Sequence, residues 1–106
     1  MGEMVKIVVF VPLTHTEIVR EAIGEVGGGV IGNYTHCSFS LKGVGRFKPQ
    51  KGASPAIGEI GKLEQVEEER VEFVCPKNKF NSLLLNLFKF RRRELNLFVR
   101  KIKPKK

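Results

Sequence analysis

The strongest constraint on the fold is a run of seven residues near the start, 5–11 (VKIVVFV), β-branched and almost wholly apolar, ended by Pro12. Such a run has no solvent face, so it predicts a strand buried on both sides in the middle of a sheet. A helical pattern follows at once. Thr14 and Glu17 have the spacing of a capping box, and Ile18, Val19, Ala22, Ile23 and Val26 recur at helical intervals. Gly27, Gly28 and Gly29 then supply residues that tolerate the left-handed end of a helix.

The rest of the chain alternates in the same way. Residues 36–41 (HCSFSL) set Cys37, Phe39 and Leu41 against His36, Ser38 and Ser40, which predicts a half-buried strand. Residues 43–61 hold five Gly and two Pro and predict a loop with a twisted hairpin extension around 45–49. Residues 63–75 read as extended again, with Val71, Phe73 and Cys75 on one face and Glu68, Arg70 and Glu72 on the other. Phe80, Leu83, Leu84, Leu87 and Phe88 form a core-facing stripe on a helix over 77–90, and 95–102 alternates as a last strand. The order β-α-β-β-α-β predicts an α+β fold: a ferredoxin-like sandwich with a four-stranded antiparallel sheet and both helices on one face. At 106 residues the chain is expected to be a single domain, 1–106.

The formal charge of +8 suggests a nucleic-acid partner until it is located. Residues 1–76 hold 8 Lys+Arg against 10 Glu, a net of −2, whereas 77–106 hold 11 Lys+Arg against Glu94 alone, a net of +10. All 11 Gly precede Pro76. A nucleic-acid interface would therefore use Lys89, Arg91, Arg92, Arg93, Arg100, Lys101 and Lys103, and its affinity would fall steeply with salt. Residues 42–49 (KGVGRFKP) are a poor match to the RNA-recognition octamer. Val44 and Arg46 stand where stacking aromatics are needed.

Catalytic and metal motifs are not legible. The pattern Gly27-x-Gly29-x-x-Gly32 follows a helix instead of opening one, so it reads as a cap and a turn, not a phosphate loop. His15, His36, Cys37 and Cys75 lack the spacing of a metal motif, and strand neighbours 36 and 37 point to opposite faces. There is no Asp, no nucleophile triad, and no carboxylate pair in differing environments. No enzyme, cofactor or metal is expected. Two Cys, no signal-peptide pattern over 1–16 and no apolar run near 18 residues predict a cytoplasmic protein without a membrane span.

Four strings in one order carry a family resemblance: GVIGNYTHCSFS (29–40), GVGRFKP (43–49), SPAIG (54–58) and VEEERVE (66–72). They resemble the YqfO-type domain of the Nif-three-like proteins, with its G-x-I-G-N-Y-x-x-C-x-F, G-x-G-x-F-x-P, P-x-I-G and E-x-R-x-E elements. Gly32, Asn33, Tyr34, Cys37, Phe39, Gly43, Gly45, Phe47, Pro49, Pro55, Gly58, Glu69 and Glu72 fall on these motifs. The resemblance spans about residues 5–76. It implies a PII/CutA-like domain, which larger relatives insert into a two-lobed core with a di-metal site. The core's ligands have no counterpart here. It also implies a homo-oligomer, a trimer by fold analogy, with a regulatory role in sensing a small ligand or a metal ion. Together with His15, the side chains of Asn33, Tyr34, His36, Arg46 and Phe47 make up the candidate ligand-binding set.

The family's closing His-Pro-Tyr-Glu is replaced here by Phe90-Arg91-Arg92-Arg93-Glu94-Leu95. A shifted reading frame and divergence toward a basic surface are the two explanations. A His-Pro-Tyr-Glu string in neither of the other frames of the coding DNA excludes the first.

Overall fold

The computed structural model describes residues 3–53, 58–91 and 98–102. Strand β1 (Met4–Pro12) passes through a short 3₁₀ turn (Leu13–His15) into helix α1 (Thr16–Glu25). Strands β2 (Phe39–Phe47) and β3 (Glu64–Pro76) form a long antiparallel hairpin. A second 3₁₀ turn (Lys77–Lys79) leads into helix α2 (Phe80–Arg91), and β4 (Phe98–Ile102) closes the order. The sheet order is β2-β3-β1-β4, with every pairing antiparallel. The arrangement is α+β and ferredoxin-like.

The seven-residue apolar run is central because it has to be. Ile7 stands opposite Phe73 of β3 on one side and Lys101 of β4 on the other. Alternation puts Val5, Ile7, Val9 and Val11 on one face, where they join Val71, Phe73 and Cys75 of β3 in the core. Val19 and Ile23 of α1 and Leu83 and Leu87 of α2 close over them, so both helices cover the same side of the sheet. Among the described residues, no helix covers the opposite face. Val8, on that face, is nonetheless buried.

Three sequence expectations need correction. Thr14 does not cap α1. Its hydroxyl lies 2.7 Å from His15 Nδ1, and the 3₁₀ turn delays the helix to Thr16, whose own hydroxyl donates to Pro12 O at 3.4 Å. Ile18 falls off the apolar stripe and is 56% exposed. The strand expected at 36–41 begins only at Phe39 and runs to Phe47, through the glycines assigned to a loop. Its faces are also not those expected: Phe39 and Leu41 pair with Glu72 and Arg70 on the open side, so both are exposed. The hairpin extension does exist. Val44–Phe47 pair with Glu64–Glu67 beyond the end of β1, as a two-stranded ribbon.

The end of α1 follows the expected chemistry. Gly28 N–H donates to Ile23 O and Gly27 N–H to Gly24 O, the paired bonds of a Schellman cap, with Gly27 at φ 92°. Residues 54–57, which include Pro55, lie outside the described residues, as do 92–97 and 103–106.

Candidate functional site

The loop between α1 and β2 is built on glycine. Gly29, at φ 78°, donates its N–H to Val74 O at 2.7 Å and accepts from Cys37 N–H at 2.9 Å. It thereby takes over the flank of β3 where β2 is missing. Ile31 and Tyr34 exchange both backbone hydrogen bonds across Gly32-Asn33, with Gly32 at φ 56°. This is a two-residue hairpin with its positive-φ residue first, as in a II′ turn. The tip is apolar and exposed, through Val30, Ile31 and Tyr34.

His36 closes the loop against α1. It adopts φ 59°, which histidine tolerates better than most residues. Its ring lies on Gly24, where a Cβ would collide with it. Its Nδ1 is 3.1 Å from Thr35 Oγ1 and its Nε2 3.7 Å from Glu21 Oε1.

The six candidate ligand residues do not converge. His15 ends the 3₁₀ turn between the end of β1 and the start of α1. Asn33, Tyr34 and His36 lie in the α1–β2 loop, at the opposite end of α1. Arg46 and Phe47 lie on the ribbon, opposite Gln65 and Glu64. Only the loop brings three of them into one segment. Of the basic candidates, Arg92, Arg93 and Lys103 lie outside the described residues. Lys89 and Arg91 are placed on α2, and Arg100 and Lys101 on β4, by backbone alone. Among the described residues, no three His, Cys, Asp or Glu side chains cluster as metal ligands. No helix among them is long and apolar enough to cross a membrane.

Sequence reasoning missed the charge arrangement on the open face. Lys6 Nζ lies 2.5 Å from Glu72 Oε1 and Arg70 Nε 3.1 Å from Glu72 Oε2, and Arg70 also sits over the Phe10 ring at 5.9 Å. The Lys6 hydrogen bond, reinforced by the charges of Lys6 and Arg70, holds the Glu72 carboxyl below its ordinary value of 4.5, against the opposing effect of burial. Glu68, over Gly45, has no such cation, and burial pushes it up from 4.5. The signal was the i, i+2 spacing of Glu68, Arg70 and Glu72 on one face. The missing information was that β1 puts a lysine beside only one of the two carboxylates.

The two carboxylates pull stability in opposite directions with pH. Glu72, lowered on folding, stabilises the fold above pH 4.5, and this is lost as the pH falls through its folded value. Glu68, raised on folding, destabilises the fold when ionised and is relieved as the pH falls through its folded value. In urea titrations, Glu72→Gln is therefore expected to weaken the fold at pH 7 and to flatten its acid loss. Glu68→Gln is expected to strengthen it at pH 7. The same sign for both variants would refute this assignment.

No protein-family model matches the chain. A protein of Halalkalibacterium halodurans named GTP cyclohydrolase 1 type 2 homolog is 49% identical over 84 residues, 79% of this chain and 23% of that protein. The chain thus spans about a quarter of the length of this curated relative. The crystal structure of a Bacillus cereus protein related to NIF3 superposes with a TM-score of 0.80 at 37% identity, covering 99% of this chain and 26% of that one. The divalent cation tolerance protein CutA from Archaeoglobus fulgidus shares the fold at 13% identity, with a TM-score of 0.64 over 97% of this chain and 85% of that one.

Proposed function

Because the chain belongs to the Nif-three-like family through its YqfO-type module, we propose that it is a single, non-catalytic module that works as a homo-oligomer, as a trimer by fold analogy, and senses a small ligand. The observation that carries this is the uncovered side of the sheet. Both helices pack on one face, while β2, at the end of the sheet, turns Phe39 and Leu41 outward at 61% and 57% exposure. An edge strand of nine residues with exposed apolar side chains invites pairing with another chain. A chain of 106 residues gains stability by covering such a face. The longer relative carries its cyclohydrolase-homolog name on a chain about three and a half times this length, and no activity is carried over from it.

Light scattering tests the assembly. The expected mass is three times the 12.0 kDa of one chain. Leu41→Glu is expected to reduce it to that of one chain with the circular dichroism retained. A single-chain mass for the unaltered protein at every concentration would overturn the reading.

A further inference from the structure

The β2–β3 ladder begins at Phe39 opposite Glu72, yet β3 continues to Pro76. Beyond Phe39 the α1–β2 loop replaces the strand, bonded to β3 at Gly29–Val74, and leaves an open space beside Phe39. The gap is a groove of about 340 Å³, within the range of small-molecule sites. Ile31 from the loop, Phe39 from β2 and Val74 from β3 give it apolar walls. Lys6, Ser38 and Glu72 supply its polar groups. None of the six candidate ligand residues lines it.

Lys6 and Glu72 line the groove as an ion pair, and Arg70, just outside it, adds a second cation to the same carboxylate. Lys6 and Arg70 share the single carboxylate of Glu72, each taking one of its oxygens. Among the described residues, this cluster of three carries one net positive charge at the groove's edge. With both Glu72 oxygens engaged, the groove has hydrogen-bond donors to offer: the remaining N–H groups of Lys6, whose side chain is 43% exposed, and the Ser38 hydroxyl. Donors beside a cluster of net positive charge select an anion, and the apolar walls select an apolar body.

We propose that this groove binds a small apolar monocarboxylate, with its carboxylate on Lys6 and Ser38 and its body between Ile31, Phe39 and Val74. The proposal rests on the ligand-sensing reading above and gives it a place and a chemical class.

The test is titration of the ¹⁵N-labelled full chain with phenylacetate, 2-phenylethanol and phenethylammonium, which share a ring and differ in charge. Phenylacetate is expected to shift the amides of Ile31, Ser38, Phe39 and Phe73 saturably, and to bind about tenfold more tightly than either of the others. Lys6→Gln is expected to bring phenylacetate down to the level of the alcohol, and Lys6→Arg to restore it. Equal binding of all three, shifts centred elsewhere, no saturable shift, or an unchanged affinity in Lys6→Gln would each overturn the proposal. Light scattering on the same samples keeps the two readings apart. A trimer that does not bind phenylacetate refutes the groove alone, and a single chain that binds it refutes the assembly alone.

Discussion

Gly29→Ala is expected to lower stability by about 3 kcal/mol or more, seen as an earlier urea midpoint with an unchanged slope. Two effects add. Gly29 has φ 78°, and an L-residue held in that region costs about 1–2 kcal/mol. A Cβ there would also fall on the Cys37 carbonyl oxygen and lie 2.8 Å from the Cys37 nitrogen. Those are backbone atoms, so no rotamer change relieves the collision. Nor can Cys37 withdraw freely, since its N–H is bonded to Gly29 O and Gly29 N–H to Val74 O. Gly32→Ala is the control. It too has positive φ, at 56°, but a Cβ there meets nothing within 4 Å. It should show only the smaller, conformational loss. If the two variants were equally destabilised, the close packing of the loop against β3 would be refuted. Phenylacetate binding separates them as well. Gly29→Ala moves the wall that carries Ile31 and should weaken binding even where the chain is still folded.

The contrast between these two glycines shows how far the sequence could be read. Three glycines after an amphipathic stretch announce a helix end, because only the backbone's local preferences are involved. Gly27 and Gly28 accordingly make the cap that their position suggests. Nothing local says that Gly29 lies against Cys37, eight residues on, or replaces β2 beside Val74. That contact depends on where two distant strands stop pairing. The same limit applies to β2. Alternation correctly put Phe39 and Leu41 on one face but could not say which face the helices cover, and the apolar side chains proved to be on the open one. The central strand was legible because a run apolar on both sides has one place to go. The candidate site was less so. His36 was picked out by type, but its contact with Gly24 comes from the return of the loop onto α1. The groove depends on Lys6 and Glu72, which are 66 positions apart in sequence and meet only through the β1–β3 register.

Ile7→Ala should bring the other large loss. Ile7 is 1% exposed, in the middle strand, and belongs to the cluster in which both helices meet the sheet. Removing three carbons from such a site forfeits their transfer from water and leaves a cavity that a close-packed interior only partly fills, about 2–5 kcal/mol in all. A small domain has about 5–15 kcal/mol to lose, so the urea midpoint should fall by a large fraction. Ile18→Ala is the matched comparison, the same chemical change on the same chain at 56% exposure, and should stay within about 0.5 kcal/mol. A loss below about 1 kcal/mol for Ile7→Ala would mean that this cluster is not the core. The variant also separates stability from site. Ile7 stands opposite Phe73, a core residue that borders the groove from within the sheet, next to Val74. If Phe73 is held by its own strand, the folded fraction of Ile7→Ala should bind phenylacetate with the affinity of the unaltered chain. If it slumps into the new cavity, affinity falls while the charge preference set by Lys6 remains.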